Sequence, residues 1–502
     1  MFRGIVLFGL PGSGKTTIGK LLADRLLDLK LYEASRAIIY PLAANPITRV
    51  QAREIYQQLA RDHGPDIIGR IIEEKFPNSI MAGARGLANA QYLYQHRFLV
   101  VYLYAPSDDL LKRGASMDDI DAEETLYQTS AIRHQVHLAF DTTTFSSQYI
   151  ADFITKLYRS KECQKCANID FNPVTPILDN GYCIVCDTYS NNFNEQILRE
   201  ELEFLKTFRK PGQYDVMVGM SGGKDSTVTT YKLLELGFTP LGFTFDIGYY
   251  PQHIMSRAAS IAKLLGVDHE IIEIKNNITS PESYELTKKL YAEPESEQLA
   301  QKFRQLYIDN RQHYSVKDTT IMPFVRSCQL CRKTVIPSYY KEAVKRGISL
   351  VVLGINEWTC LSQPNDQFLD QRNARPPQGT SGIRQGISWS HLGIRRLQPT
   401  PTSPIVYIVH LPFLLRLTRV EMESVLNQIG WTPPTGEELI EANTNSCLFA
   451  AATLEKARHM LGFNPDITRL SREVTVGFIT KEEAKHALAK HYSTHLTLDQ
   501  LF

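Results

Sequence analysis

The residues best suited to chemistry form a short loop of small and charged side chains near the middle of the chain. Ser221-Gly-Gly-Lys-Asp-Ser226 follows the apolar run Tyr214–Met220 and precedes a helical pattern that begins near Thr227. Glycines allow the backbone to approach phosphate closely, and hydroxyls and backbone amides can bind the oxygens of a triphosphate. The loop therefore predicts an ATP site between a strand and a helix.

Each residue of this loop has a predicted role. Lys224 neutralises phosphate charge. Asp225 positions Mg²⁺ or caps the helix. The predicted ATP ligands are Ser221, Gly222, Gly223, Lys224, Asp225 and Ser226.

A second phosphate loop lies at the N-terminus. Gly9-Leu-Pro-Gly-Ser-Gly-Lys-Thr16 has the G-x-x-x-x-G-K-S/T pattern, in which the Lys15 ammonium reaches the β- and γ-phosphates and the Thr16 hydroxyl binds Mg²⁺. A helix N-terminus adds its dipole. The predicted nucleotide ligands are Gly9, Gly12, Ser13, Gly14, Lys15, Thr16 and Thr17.

Six of the eight cysteines form three C-x-x-C pairs. Cys163, Cys166, Cys183 and Cys186 make two pairs separated by sixteen residues, an array that predicts a closed tetrahedral Zn²⁺ site with a structural role. Asn180-Gly181 supplies turn residues before the second pair. Zinc would then replace the core that so short a segment cannot build.

The third pair, Cys328 and Cys331, precedes a helical run and the strand-like Ser349–Leu353, and Cys447 comes far downstream. Three thiolates with one open position suit an iron–sulfur cluster. A second zinc site, redox disulfide or persulfide chemistry, and buried packing remain open. Cys360 competes with Cys447 as the third ligand.

The central loop resembles that of the N-type ATP pyrophosphatases, or PP-loop enzymes. The resemblance implies that ATP adenylates a carbonyl or ureido oxygen, with release of pyrophosphate, and that a nucleophile then displaces AMP. It also implies nucleotide contact by Asp246, which ends the strand-like Pro240–Asp246. Ile247-Gly248 departs from the more common Asn-Gly or His-Gly.

Two groups within this superfamily have a similar order of zinc ribbon, helix and loop. In the tRNA 2-thiouridine synthetases, a C-x-x-C and a later cysteine bind a 4Fe–4S cluster, which implies that role for Cys328, Cys331 and Cys447. The N-acetyl sugar amidotransferases use ammonia, and the Ser471–Glu483 region is similar to theirs. Gly354-Ile-Asn356 lacks the histidine of the thiouridine enzymes and continues with Glu357.

The N-terminal part resembles small nucleotide and dephospho-coenzyme A kinases, including Ile80-Met-Ala-Gly-Ala-Arg85. Ala82 stands where that group has an acid, and the basic lid is reduced to the candidates Arg113 and Arg133. Phosphotransfer and a nucleotide-sensing role therefore both remain open.

The elements around these motifs alternate between strand-like and helix-like segments, such as the runs Gly4–Phe8 and Phe98–Tyr104. This predicts an α/β protein with two doubly wound parallel-sheet domains, a zinc ribbon between them and a helical C-terminal region. The predicted domains are a P-loop kinase-like domain (1–158), the ribbon (159–192), a PP-loop domain (193–430) with a mobile insertion (361–404), and a helical region (431–502).

Composition limits the partners. Of 502 residues, 43% are hydrophobic and 22% charged, with a formal net charge of +1, which argues against a dominant sequence-independent nucleic-acid surface. The N-terminal run lacks the pattern of a signal peptide, and no apolar run has membrane-spanning length, so we expect a cytoplasmic protein without membrane contact. The expected cofactors are ATP, Mg²⁺ and Zn²⁺, with a 4Fe–4S cluster as the open question.

We predict an adenylating enzyme that replaces the activated oxygen by sulfur. The alternatives are an amidotransferase supplied with ammonia by a partner glutaminase and a nucleotide-regulated binding module. The acceptor is a small molecule or tRNA, the partner is a sulfur carrier or a glutaminase, and a homodimer is a further prediction.

Overall fold

The computed structural model describes residues 2–43, 46–313, 318–357, 393–434, 438–440 and 447–490. The chain forms two compact units. Unit 1 contains Met1–Lys161, Pro294–Phe303 and Arg458–Phe463, and unit 2 contains Glu162–Glu293, Arg304–Ala457 and Asn464–Phe502.

Unit 1 is built on a five-stranded parallel sheet with the strand order β2-β3-β1-β4-β5. Its strands are β1 (Ile5–Phe8), β2 (Lys30–Glu33), β3 (Ser79–Ala82), β4 (Leu99–Tyr104) and β5 (Leu138–Asp141). The central strand β1 is wholly buried, as its uninterrupted apolar sequence predicts for a parallel strand covered on both faces. The register pairs Ile5 with Ile80 and with Leu99.

Helices connect these strands, and most of them are long enough to cross back over the sheet. They are α1 (Lys15–Arg25), α2 (Arg49–His63), α3 (Ile67–Lys75), α4 (Leu87–Gln95), α5 (Ser107–Lys112), α6 (Met117–Tyr127) and α7 (Ser147–Tyr158). Shorter turns of π- or 3₁₀-helix lie at Ser35–Ile39, Tyr40–Leu42 and Thr129–Gln135.

Unit 2 has a six-stranded sheet with the order β10-β11-β9-β6-β7-β8. Its strands are β6 (Val216–Gly219), β7 (Pro240–Asp246), β8 (His269–Glu273), β9 (Leu350–Leu353), β10 (Ile394–Leu397) and β11 (Val406–His410). All neighbours are parallel except β10 and β11. The chain builds outward from β6 through β7 to β8 and then returns to the other side at β9. The switch point, where open α/β sheets bind ligands, therefore lies between β6 and β9.

The helices of the second sheet and of the C-terminal region follow. They are α8 (Ile184–Asn192), α9 (Glu195–Lys206), α10 (Lys224–Glu235), α11 (Gln252–Leu265), α12 (Pro281–Ala292), α13 (Glu297–His313), α14 (Ser327–Lys345), α15 (Leu411–Leu414), α16 (Arg419–Gln428), α17 (Leu448–Leu461), α18 (Ile467–Thr475) and α19 (Lys481–Ala489). A 3₁₀ turn lies at Lys275–Asn277. Residues of α13 and α17 belong in part to each unit.

The predicted α/β architecture with two mainly parallel sheets is confirmed. The strand predicted over Pro240–Asp246 has those bounds in the structure. Of the predicted insertion, residues 361–392 lie outside the described residues, as does Cys360, and its described end contains β10. Across the described part of the chain, no helix combines the length and apolar character needed to cross a membrane.

Candidate functional site

The Ser221–Ser226 loop leaves the carboxyl end of β6 and runs into α10, whose first residue is Lys224. The Ser221 N–H donates to the Ser226 hydroxyl oxygen (3.2 Å), and the Gly223 N–H donates to the Ser221 hydroxyl (3.3 Å). No side chain caps α10, so the amides of its first turn remain available to an anion. Lys224 Nζ lies 2.6 Å from Asp225 Oδ2. The loop thus places a cation, hydroxyls and free amides around one point.

Two side chains hold this loop from outside. The Gly222 carbonyl accepts hydrogen bonds from Arg257 Nε (2.9 Å) and from the Trp431 indole Nε1 (3.0 Å). Gly222 has φ +71°, and a Cβ there would lie 2.7 Å from Arg257 Cγ. The position therefore requires glycine for both conformation and space.

Gly354 brings the end of β9 against the same loop. A Cβ at this position would lie 2.7 Å from the Asp225 carbonyl carbon and 2.8 Å from the Ser226 nitrogen. The next residues, Asn356 and Glu357, are therefore placed beside the loop, at the switch point between β6 and β9.

Asp246 ends β7 one strand away, where the sequence predicted a nucleotide contact. Its Oδ1 accepts from the Gly248 N–H (2.7 Å), so the departure Ile247-Gly248 forms a turn around this carboxylate. Ile247, the middle residue of that turn, is buried.

A C-terminal helix, α18, supplies further charged groups to this end of the sheet. Arg469 Nη1 lies 2.7 Å from Glu473 Oε1. Partial burial lowers the pKa of the Arg469 guanidinium, but the carboxylates of Glu473, Asp466 and Asp225 outweigh it and raise the pKa above its usual value. Arg469 therefore carries its charge within the field of the PP-loop aspartate.

One turn further along α18, Arg472 Nη1 contacts both carboxylate oxygens of Glu357 at 3.0 and 3.1 Å. The two side chains are only 11% and 15% exposed. His410, at the end of β11, donates from Nδ1 to the Glu357 carbonyl oxygen (2.9 Å). Burial lowers the pKa of His410 to about 4. This buried ion pair fixes α18 to the residues that follow β9.

The third cysteine group lies at the start of two helices of unit 2. Cys328 and Cys331 occupy the first turns of α14, and Cys447 immediately precedes α17. The Leu448 N–H donates to the Tyr249 carbonyl (3.0 Å), and the Tyr249 ring stacks on Phe449 with 5.0 Å between the centroids. These contacts hold Cys447 next to the chain that follows β7.

The environments of the three thiols differ. Tyr284 donates its hydroxyl to Cys331 Sγ (3.3 Å). Burial raises the pKa of Cys331, with Cys447 adding to the effect, and burial raises the pKa of Cys447 to about 12. Cys328 is exposed. Partial desolvation nevertheless raises the pKa of its thiol, and the nearby cations Arg326 and Arg469 oppose this effect. Cys328 is therefore the accessible member of the group.

The first two cysteine pairs fit a zinc ion. Cys163, Cys166, Cys183 and Cys186 are all buried, and their sulfurs lie within 4.8 Å of one another. The Cys163–Cys186 and Cys166–Cys183 sulfurs are 3.8 and 3.6 Å apart, close to the edge of about 3.8 Å expected for a tetrahedron with Zn–S bonds of about 2.3 Å.

The surroundings of these sulfurs are those of a structural site. The Cys183 N–H donates to Cys163 Sγ (3.1 Å), and Thr475 Oγ1 lies 3.1 Å from Cys186 Sγ. The predicted Asn180-Gly181 turn is present, with the Tyr182 N–H donating to Asn180 Oδ1 (3.0 Å). Four thiolates would fill the coordination sphere of Zn²⁺, so a zinc ion bound here would stabilise the fold rather than catalyse.

In unit 1 the Gly9–Thr16 loop joins β1 to α1. Lys15 Nζ donates to the carbonyls of Gly9 (2.7 Å) and Leu10 (2.6 Å), positions from which a nucleotide phosphate would attract it. Burial lowers the pKa of Lys15 to about 8. Thr16 Oγ1 lies 3.5 Å from Glu33 Oε1 at the end of β2, a donor pair suited to Mg²⁺.

The candidate lid arginines are engaged with protein groups. Arg113 Nη1 donates to Thr142 Oγ1 (2.7 Å). The Arg133 guanidinium lies 4.1 Å from the centre of the Tyr104 ring.

Several residues of the site were missed from the sequence. Arg472 and Glu473 lie in the Ser471–Glu483 segment, noted only for its similarity to sugar amidotransferases, and Arg469, Trp431 and Arg257 carried no motif at all. The one available signal was that Arg472 and Glu473 lie three and four residues after Arg469, which puts three charges on one face of a helix.

Comparisons with known proteins follow this division. Residues 215–317 match the family described as Queuosine biosynthesis protein QueC. The uncharacterized protein MJ1599 of Methanocaldococcus jannaschii is 23% identical over 317 residues, which cover 61% of this chain and 85% of that protein.

For the kinase-like part, a shikimate kinase of Caldicellulosiruptor bescii is 30% identical over 117 residues, which cover 22% of this chain and 63% of that enzyme. A solved shikimate kinase from Acinetobacter baumannii, in complex with shikimate, is 20% identical. It covers 32% of this chain and 93% of its own, with a TM-score of 0.24.

The parallel sheet of unit 1, with the Gly9–Thr16 loop between β1 and α1, has the architecture predicted for a P-loop kinase-like domain. The match over 215–317 contains the strand, loop and helix that build the ATP site of unit 2. Residues 215–317 therefore form a QueC-type domain related to the PP-loop ATP pyrophosphatases, and this match supports an ATP-dependent adenylating enzyme in the C-terminal part of the chain.

Proposed function

We propose that unit 2 adenylates a carbonyl-type oxygen of its acceptor and then replaces that oxygen by sulfur. The observation that carries the proposal is the position of Arg469, whose charge acts both on Asp225 of the PP-loop and on Cys328 of the third cysteine group. A cation whose field includes both the ATP loop and an exposed thiol supports the coupling of activation with sulfur delivery.

The activation step uses the residues around the start of α10. The free amides of the first turn, together with the Ser221 and Ser226 hydroxyls, bind the β- and γ-phosphates, and Lys224 offsets their charge. The acceptor oxygen attacks the α-phosphorus, the bond from that phosphorus to the bridging oxygen breaks, and pyrophosphate leaves. Because Arg469 lies near Asp225, it stabilises the charge that grows on the departing pyrophosphate.

The replacement step needs a sulfur nucleophile near the activated carbon. Hydrosulfide attacks that carbon, a C–S bond forms, the C–O bond to AMP breaks, and the proton of hydrosulfide is lost to solvent. Cys328 lies on the wall of a pocket together with Arg326 and Asp466, which are paired at 2.7 Å. The positive charges of Arg326 and Arg469 favour an anionic donor beside this thiol.

The three cysteines Cys328, Cys331 and Cys447 are not gathered as the ligands of one zinc ion would be. Among the described residues, the ribbon cysteines are the one set of three or more ligating groups within 4.8 Å, so Cys328, Cys331 and Cys447 are spaced more widely than ligands of one zinc ion. These three thiolates would hold a 4Fe–4S cluster, which would supply an open iron as a binding site for sulfur. The acceptor, a small molecule or tRNA, and a sulfur-carrier partner complete the proposal.

The test uses the full chain under anaerobic conditions with ATP and Mg²⁺, with sulfide or ammonium as the nucleophile, and with tRNA and small-molecule extracts as acceptors. AMP, pyrophosphate and the product mass are measured. We expect sulfide-dependent AMP and a product with sulfur in place of oxygen. Lys224→Ala abolishes both, whereas Lys232→Ala, on the outer face of the same helix and paired with Glu235, retains them.

Turnover with ammonium that survives conversion of Cys328, Cys331 and Cys447 to serine would contradict sulfur transfer and favour the amidotransferase. Failure to form AMP with every acceptor would contradict both and favour a nucleotide-regulated binding module.

A further inference from the structure

Unit 1 contains a buried carboxylate that the adenylation chemistry of unit 2 does not use. Glu123, on α6, is 2% exposed. Burial lowers the pKa of Lys15 in the P-loop, and the negative charge of Glu123 is the largest effect that raises it. Burial of a carboxylate costs free energy, so a buried acid near a phosphate-binding lysine must have either a structural or a chemical role.

The position of Glu123 is fixed through Arg85. Arg85 Nε lies 3.1 Å from Glu123 Oε1. Arg85 follows the carboxyl end of β3 by three residues, and a Cβ on the intervening Gly83 would lie 4.0 Å from Lys15 Cε. The segment after β3 therefore passes beside Lys15 at Gly83 and pairs with Glu123 through Arg85.

The Glu123 carboxylate keeps a free acceptor position. Despite the short distance to Arg85, no N–H or O–H of the described residues makes a hydrogen bond to Glu123 Oε1. Burial raises the pKa of Glu123, and the negative charge of Asp119 raises it further. The nearby cations Arg85, Lys15 and Arg53 lower this pKa but do not offset the effect of burial. The Glu123 carboxylate is thus paired with Arg85 but keeps lone pairs on Oε1 that no N–H or O–H of the described residues occupies.

Other carboxylates near the loop are engaged elsewhere. Glu33 faces Thr16, where Mg²⁺ would bind, and pairs with Arg36 at 2.9 Å. Asp119 is held between Arg49 and Arg53. The last residue of β3, Ala82, and the two residues after it, Gly83 and Ala84, carry no carboxylate. Among the described residues of this region, Glu123 is the buried acid left for proton transfer.

We propose that unit 1 is an active phosphotransferase in which Glu123 accepts the proton of the hydroxyl that attacks ATP. The acceptor oxygen forms a bond to the γ-phosphorus, the bond from that phosphorus to the β-bridging oxygen breaks, and ADP leaves. The proton passes to Glu123 Oε1 and then to solvent, while Lys15 offsets the phosphate charge. The protein thus has two ATP-consuming centres with different products.

The opposite role is an inhibitory one, in which α6 inserts Glu123 to occupy the positive field meant for phosphate. The two roles predict opposite changes in the rate of ADP formation when the charge of Glu123 is removed. The rate falls if Glu123 is the base and rises if Glu123 blocks the phosphate site.

The test measures ADP and phosphate released by the full chain from Mg-ATP with water as the acceptor. These products are separable from the AMP and pyrophosphate of unit 2, so failure here leaves the adenylation account intact. We expect Glu123→Gln to lower kcat about a hundredfold or more, with KM for ATP unchanged. We also expect Glu123→Asp to retain part of the activity.

Two controls accompany this variant. Lys15→Ala abolishes ADP formation. Glu124→Gln has wild-type activity, because the Glu124 carboxylate accepts from the Ser130 N–H (3.0 Å), beyond the end of α6, and makes no contact with the P-loop. Stabilisation by Mg-ADP, measured as a Tm shift, shows that Glu123→Gln is folded. The pH profile of wild-type kcat rises with deprotonation of one group, and this limb is absent in Glu123→Gln.

Four results would overturn the proposal. They are unchanged ADP formation in folded Glu123→Gln, faster ADP formation in that variant, ADP formation that survives Lys15→Ala, and no ADP formation by the wild-type protein.

Discussion

Gly354 lies directly against the backbone of Asp225, so close that a Cβ at position 354 would be 2.7 Å from the Asp225 carbonyl carbon. The contact joins the end of β9 to the first turn of α10 across the switch point of the sheet. The PP-loop is thus set by a strand more than a hundred residues downstream as well as by its own glycines.

Gly354→Ala tests this contact. The added methyl group must displace the loop or the strand end, at a cost of about 1–3 kcal/mol. We expect kcat/KM for AMP formation to fall about tenfold or more, while the global Tm changes little. Ser349→Ala, at the other end of the same strand, is the matched control and has wild-type kinetics. Equal kinetics for the two variants would contradict the proposed dependence of the loop on Gly354.

The ion pair between Arg472 and Glu357 predicts strong coupling. Glu357→Gln leaves the buried Arg472 without its charge partner, which costs about 3–5 kcal/mol. Urea unfolding of unit 2 measures this loss. We expect the double change Glu357→Gln with Arg472→Met to cost less than the sum of the two single changes. Strict additivity would show that the pair does not hold α18 in place.

His410 predicts acid sensitivity. Its pKa is lowered by burial from 6.5 to about 4. Between these values the unfolded chain binds a proton that the folded chain does not, so stability is complete above pH 6.5 and is lost as pH falls toward 4. The loss attributable to this group is at most about 3 kcal/mol. The difference in unfolding free energy between the wild type and His410→Gln should therefore shrink with falling pH, and a constant difference would contradict the prediction.

The ribbon predicts dependence on metal. Cys166→Ser removes one of four thiolates, and we expect loss of zinc together with a lower unfolding temperature for unit 2, since structural zinc binding contributes directly to folding. Cys331→Ser, outside the ribbon, serves as the control and keeps its zinc. Stoichiometric zinc in Cys166→Ser with an unchanged unfolding temperature would refute the assignment.

The sequence was informative where function depends on neighbouring residues. The Ser221–Ser226 and Gly9–Thr16 loops each carry a complete local pattern between a strand and a helix, and the two-residue spacing of the ribbon cysteines is likewise local. These features could be predicted because the backbone geometry they need is contained within a few residues.

The remaining contacts depend on tertiary packing. Nothing in the sequence around Glu123 distinguishes it from the half-buried Glu124 except the phase of α6, which turns Glu123 further inward. Arg469 acts electrostatically on Asp225 only because α18 folds back from far downstream, and Trp431 likewise comes from far downstream to donate to the Gly222 carbonyl. Local patterns carry no information about which distant helix covers a loop.

The most direct test of the central claim is the iron, acid-labile sulfide and zinc content of anaerobically purified protein, measured beside a variant with Cys328, Cys331 and Cys447 changed to serine. The account predicts about one zinc in both proteins and iron with sulfide only in the wild type. Zinc alone, with no iron or sulfide in the wild type and no effect of the substitutions on AMP formation, would contradict sulfur transfer at this site.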